Sequence, residues 1–243
     1  MESWFRNWIN DWKNWVHKWT RDITLRRLLM SLIGVLVCGI SVGAFKRAEL
    51  GVDPFQSLMA GLNVVIPINF GTLYMIANAI LLIFSLIFDK MKVGNATFIN
   101  LFLIGYVADF SHHLLEEIIP EASLIGRLGL LAIGVVLMCL ASSFYFTADL
   151  GVSTYDAVSL VISERQSKVK FRYCRIISDL VCVLLGGGLC LIGGYHFVED
   201  PSVFTVVGIG TIITAFFMGP LIEFFNVHVA RPFLNGKSGK QKR

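Results

Sequence analysis

The 243-residue chain is 55% hydrophobic and only 16% charged, with a formal net charge of +4, and its mean hydropathy is +0.69. That balance leaves little chain for a soluble catalytic domain, and the small basic excess speaks for a membrane surface rather than nucleic acid. Apolar runs close to the roughly 20 residues that cross a bilayer fall at about 28–45, 71–88, 96–115, 128–148, 176–195 and 203–225. The composition therefore predicts an all-α polytopic membrane protein with six transmembrane helices.

Every tryptophan lies in the first nineteen residues, at Trp4, Trp8, Trp12, Trp15 and Trp19. Steps of three and four put them on one helical stripe, with Arg6, Asp11, Lys13 and Lys18 on the other face. Tryptophan prefers the headgroup level, so residues 1–26 are predicted to form an amphipathic helix lying in the interface. They lack the continuous apolar core of a signal peptide. An anchor is the plain reading, with contact to lipid or to another protein as its alternative.

The first span follows Arg26-Arg27 and ends at Lys46-Arg47. Next comes Ala48-Glu49-Leu50-Gly51-Val52-Asp53-Pro54-Phe55-Gln56-Ser57, which returns 100 positions later as Ala148-Asp149-Leu150-Gly151-Val152-Ser153-Thr154-Tyr155-Asp156-Ala157. Asp53 and Ser153 suit an N-cap, Pro54 suits the first helical position, and Gln56 and Asp156 stand where a capping box places its third residue. Each copy predicts a glycine-marked break and then a short helix, over about 53–65 and 153–163. About twelve residues reach only about 18 Å, too short to cross. The second span ends at Asp89-Lys90-Met91-Lys92 and the third in His112-His113 and Glu116-Glu117.

The similarity continues on both sides. Gly34-Val35 aligns with Gly134-Val135 at the same offset, and Val93-Gly94-Asn95-Ala96-Thr97 aligns with Val207-Gly208-Ile209-Gly210-Thr211 at an offset of 114. The transmembrane domain, 27–226, thus divides into related halves at about 27–112 and 125–226, followed by a basic tail at 227–243. The 164–172 loop is the densest basic segment. With the short helices not crossing, the positive-inside rule places both termini, Lys90 and Lys92, and that loop in the cytoplasm. The acidic 116–121 and 196–200 loops then face outward, and only Lys46-Arg47 lies on the wrong side. Three spans per half make the repeats inverted, each with one interrupted or re-entrant short helix. That pattern points to a transporter-like site near the pseudo-twofold axis.

These elements resemble the YczE/YyaS/YitT family of uncharacterised bacterial membrane proteins, most of all its YczE branch. The resemblance rests on Leu50-Gly51-Val52-Asp53-Pro54-Phe55-Gln56, on Gly94-Asn95-Ala96-Thr97-Phe98-Ile99-Asn100 with Gly105 and Asp109, and on Gly208-Ile209-Gly210-Thr211 with Gly219-Pro220. The family tends to carry Gly-Pro-aromatic-Asp after the first Leu-Gly-x; here Asp53 and Gln56 take the Gly and Asp places. In the second copy Thr154 replaces Pro while Asp156 is kept. The resemblance implies a protein of the bacterial cytoplasmic membrane and supplies no substrate.

Ionisable groups inside a membrane are expensive and mark functional candidates. Asp179 is the foremost, with Arg175 one turn before it as an ion-pair partner. Asn78 holds the repeat-equivalent place, and Asn100 and Thr214 are mates on the following helices. These five form the candidate solute or ion pathway, with interhelical hydrogen bonding as the alternative for the amides and the hydroxyl. Asp53, Gln56, Ser153 and Asp156 are expected to cap first and meet a solute second. Asp109 and Glu223 are expected as solvated helix ends, as are His113 and Glu117. The five cysteines, Cys38, Cys139, Cys174, Cys182 and Cys190, lack metal or disulfide spacing and read as buried packers. No catalytic motif occurs, so neither an enzyme nor a cofactor is expected. The reading is a permease for an unidentified small solute; the alternative is a non-transporting accessory protein that assists a partner. The expected partners are the bilayer and that solute, with a homodimer or membrane partner left open.

Overall fold

The computed structural model describes residues 24–68, 70–165, 170–194 and 206–235. The predicted tryptophan helix, the middle of the basic loop, the 196–200 loop and the tail beyond 235 lie outside them. The described residues hold helices and no strand: α1 (Leu25–Ala48), α2 (Pro54–Val65), α3 (Phe70–Asp89), a 3-10 turn (Lys90–Lys92), α4 (Asn95–Ile118), α5 (Leu124–Ala148), α6 (Thr154–Arg165), α7 (Phe171–Ile192) and α8 (Ile209–Phe225). A π turn (Asn226–Ala230) and α9 (Arg231–Asn235) prolong α8. Six helices are long and apolar enough to cross a membrane: α1, α3, α4, α5, α7 and the joined run Ile209–Leu234. The chain is an all-α, multi-pass membrane protein. Ile80, Ile87, Leu184 and Ile192 are among the large apolar side chains left exposed for lipid.

Two boundaries differ from those read off hydropathy. Helix α7 starts at Phe171 rather than near 176, because the charge that ended the apolar run, Arg175, is buried and paired inside the bundle. The last span begins at Ile209 rather than 203; Gly208 precedes it, its N–H donating to Thr211 Oγ1 at 3.3 Å.

The duplicated sequence makes duplicated contacts. Helices α1 and α5 cross with repeat mates touching, Cys38 Sγ lying 3.2 Å from Met138 Sδ. On one side Ser41 Oγ donates to Gly134 O at 2.7 Å. On the other, a Cβ on Gly34 would stand 3.0 Å from Ala141 O. Position 34 thus meets 141, 38 meets 138 and 41 meets 134, so the two helices run antiparallel.

The linkers are exchanged in the same way. Glu49 and Asp149 end α1 and α5 in the left-handed region, at φ 53° and 54°, and Gly51 and Gly151 follow at 107° and 105°. Only glycine adopts that last conformation without strain. It lets Leu50 O accept from Gly210 N at 2.7 Å and Leu150 O from Ala96 N at 2.9 Å. The linker of each half therefore seats on the start of the other half's third span. The short helices follow suit, α2 packing on α7 and α6 on α3. They lie within the bundle, not on its surface.

Candidate functional site

Crossing the short helices in this way brings both of their amino ends to one place. Asp53 caps α2, its Oδ1 accepting from Phe55 N at 3.1 Å and Gln56 N at 3.2 Å. Ser153 caps α6, its Oγ accepting from Asp156 N at 3.1 Å. Between them lies a central cavity of about 80 Å³. Asp53, Gln56, Asn78, Asn100, Ser153, Asp156 and Arg175 all line it, joined by the rings of Phe55, Tyr74, Tyr145 and Tyr155.

On the α6 side the polar groups form one closed network. The Arg175 guanidinium pairs with Asp156 and, through Nε at 3.2 Å, with Asp179. It also lies 4.4 Å from the centre of the Tyr155 ring, a cation–π contact. Tyr155 donates its hydroxyl to Asp179 at 2.6 Å, Ser153 donates to Asp156 at 2.6 Å, and Tyr145 donates to Asp156 as well. The side chains of Arg175, Asp156 and Asp179 are 5%, 5% and 0% exposed. Burial of this depth is sustained because each charge has several partners; removing one leaves an uncompensated ion.

Asp53 and Ser153 cap as expected, whereas among the described residues neither Gln56 nor Asp156 returns the reciprocal side-chain bond of a capping box. The Asp156 carboxylate is taken by Arg175, Tyr145 and the Ser153 hydroxyl. A buried guanidinium and a phenol outbid one backbone N–H, since charge-assisted bonds are the stronger ones. Thr154, where the first copy has Pro54, donates to Asn78 Oδ1 at 2.5 Å, and Asn78 Nδ2 donates to Tyr74 O at 2.8 Å. The Pro-to-Thr departure thus supplies a hydroxyl that ties α6 to α3.

Two pathway candidates stand apart from the cavity wall. Asp179 sits behind the wall and meets the cavity through Arg175 and Tyr155, which line it. Thr214 is fully buried and returns its hydroxyl to Gly210 O and Thr211 O of its own helix, both at 2.9 Å. Its mate Asn100 does line the cavity. The tyrosines and Phe55 were missed as site residues; an aromatic directly after each helix's first residue, in both copies, was the available signal.

A side chamber of about 290 Å³ adjoins the cavity and shares Val42, Gln56, Tyr74 and Ile104 with it. Lys46 and Asp109 line this chamber and pair at 2.8 Å. Asp109 is thus an ion-pair partner as well as an exposed group. Its neighbour Arg47 is buried, donating to Ile119 O and Pro120 O and lying 3.6 Å from Glu49. Repeat mates of the chamber residues, Phe146, Ile222 and Glu223, line a second chamber of about 320 Å³ together with Lys92, Asn226 and Arg231. That chamber shares no lining residue with the central cavity. Phe146 of that chamber's wall stands edge-on to Tyr145 of the cavity wall at 4.8 Å and to Phe171 at 5.5 Å.

The remaining candidates are peripheral. His112 and His113 both approach Glu116, at 3.4 and 3.3 Å, rather than Glu117. All five cysteines are buried and unbridged.

The model of a family of unknown function, DUF6198, matches residues 25–227. The uncharacterised protein YyaS of Bacillus subtilis is 25% identical over 84% of this chain and 94% of its own length. An uncharacterised protein of Haemophilus influenzae is 25% identical over 88% of both chains. The uncharacterised membrane protein YczE of Bacillus subtilis is 24% identical over 78% of this chain and 80% of its own. No solved structure matches the chain.

Proposed function

We propose, for a chain that belongs to the DUF6198 family of unknown function, that it is a permease for a small solute bound in the central cavity. Two inverted halves work against each other around that cavity. The observation that carries this reading is the unequal access of two repeat-equivalent chambers. One shares four wall residues with the cavity; its mate shares none, and Phe146 of its wall packs edge-on against Tyr145 of the cavity wall. A symmetric scaffold holding an asymmetric access path is what alternating access requires, and paired short helices with their amino ends at the site are a recurrent way of building one. The antiparallel crossing of α1 and α5 supports the inversion of the halves.

In the proposed topology both termini are cytoplasmic, the protein sits in the bacterial cytoplasmic membrane, and the Lys46–Asp109 chamber opens outward. Purified protein in sealed proteoliposomes is expected to move a solute, and Tyr145→Trp or Phe146→Ala to change the rate. Retention of every member of a broad panel of small cations, anions and neutral metabolites would overturn the reading. A non-transporting accessory protein is the second reading, favoured by the tryptophan stripe of residues 4–19. It predicts a stable partner in the membrane and full function after Asn78→Ala.

A further inference from the structure

We infer that the ligand of the central cavity is a compact monovalent cation, held by Asp53 together with the Gln56 and Asn100 amides. This rests on the cavity being the solute site. Charge is the first argument. Arg175 is the cationic residue lining the cavity, and it is already answered by two carboxylates, Asp156 and Asp179. Asp53 adds a third carboxylate, and among the described residues no Lys or Arg lies within ion-pair distance of it. The amino ends of α2 and α6 offset this by about half a charge each, and burial raises the Asp53 carboxyl above its usual range. A cation at Oδ2 would hold Asp53 ionised and balance the negative charge that remains.

Capping alone does not account for Asp53. The cap in the other half is the neutral Ser153, which performs the same task. Asp53 caps with Oδ1 only, accepting both backbone N–H groups there. Its Oδ2 takes part in no hydrogen bond or ion pair with another described residue. The side-chain amides of Gln56 and Asn100 also line the cavity and are likewise unengaged by other described residues. The cavity therefore offers one spare carboxylate oxygen and two amides whose oxygens accept.

Aromatic faces and size narrow the class. Phe55 stacks on Tyr155 at 5.0 Å and meets Tyr74 edge-on at 5.6 Å, and all three line the cavity. Arg175 lies over the Tyr155 ring at 4.4 Å and Phe55 stacks on it, so the ring surface left to a ligand is that of Phe55 and Tyr74. A volume of about 80 Å³ admits a small solute, and three oxygen acceptors suit one with N–H donors, such as ammonium, methylammonium or guanidinium, which the trimethylammonium head of choline lacks. Among the described residues no group of three or more His, Cys, Asp or Glu could hold a metal ion, which argues against a tightly held divalent.

The test uses the full-length protein in detergent, with methylammonium chloride as probe and choline chloride and choline methanesulfonate as controls at equal ionic strength, in sodium- and potassium-free buffer. Calorimetry and the thermal midpoint are both read. Wild type is expected to show saturable binding of methylammonium and none of choline or methanesulfonate. Asp53→Asn and Asp53→Ser keep a capping oxygen and are expected to fold, with affinity reduced about tenfold or more, the worth of one charge-assisted contact. Equal responses of wild type to methylammonium and choline would overturn the assignment without any variant. So would unchanged affinity in a folded Asp53→Asn protein. Saturable binding with no flux in proteoliposomes would sink the permease reading and leave the cation site standing. Flux of a solute that Asp53→Asn leaves untouched would do the reverse.

Discussion

At the scale of single residues, Arg175 is the most exposed to test. Its replacement by Gln strands the carboxylates of Asp156 and Asp179, both buried. That is expected to cost about 3–5 kcal/mol of stability, measured by thermal or denaturant unfolding in detergent. Arg175→Gln with Asp156→Asn should recover part of the loss, and adding Asp179→Asn more of it. Asp179→Asn alone should fold, because Arg175 keeps Asp156 and Tyr155 keeps a hydrogen-bond acceptor. A stable Arg175→Gln protein would show that the network carries little of the fold. Asn78→Ala leaves the buried Thr154 hydroxyl without its acceptor and should cost about 1–3 kcal/mol. Adding Thr154→Val removes the orphan and should bring stability back toward wild type, a coupling that a double-mutant cycle reads directly. The Arg175–Asp179 pair was legible because four residues separate its members on one helix. Asp156 was not, since the serine three residues before it offered a complete local account, while its true partner lies 19 positions away. Thr214 misled for a related reason. Sequence offset equates it with Asn100, but a threonine hydroxyl is short enough to bond its own preceding turn, as it does here.

At the scale of elements, the short helices are held where backbones nearly touch. A Cβ on Gly61 of α2 would stand 2.3 Å from Gly186 O, and one on Gly186 of α7 would stand 2.6 Å from Ser57 O. Even alanine at either site must push the two helices apart. Gly61→Ala is therefore expected to destabilise by about 1–3 kcal/mol, and to loosen the cavity wall that Asp53 and Gln56 provide. Gly188, half a turn further along α7, has nothing within 4 Å of an added Cβ. Gly188→Ala should accordingly be neutral, or stabilise by about 1 kcal/mol from helix propensity alone. Equal behaviour of the two variants in an unfolding series would refute the close packing. The existence, order and type of these helices followed from hydropathy, caps and the repeat. What each short helix packs on did not, because nothing local in 53–65 or 153–163 distinguishes a span of its own half from one of the other. The exchange is set by the linkers, through hydrogen bonds from Leu50 to Gly210 and from Leu150 to Ala96.

At the scale of the whole molecule, the pairing of charges bears on orientation. The rule that places basic loops inside counts cations that must stay in the cytoplasm, and Lys46-Arg47 is the one pair on the proposed outer side. Only Arg47 is withdrawn from solvent; Lys46 stays 37% exposed, its charge partly offset by Asp109. Lys46 is paired with Asp109, and Arg47 is buried against the carbonyls that end α4. The exception is thereby reduced to Lys46, and the remaining basic segments argue in one direction. The topology prediction follows. Single cysteines at Ser167 and Ser238 should be protected from a membrane-impermeant thiol reagent in intact cells, and one at Ser202 should react. The native cysteines are all buried, so a low background is expected. Two further sites connect orientation to mechanism: Asp109→Cys, in the chamber continuous with the cavity, should label from outside, and its repeat mate Glu223→Cys only after the cells are opened. A ligand that shifts the halves should lower labelling at Asp109→Cys while raising it at Glu223→Cys. Outside labelling of the Ser167 site would remove the inverted arrangement of the halves. Labelling of both chamber sites from one side would remove alternating access even with the topology intact.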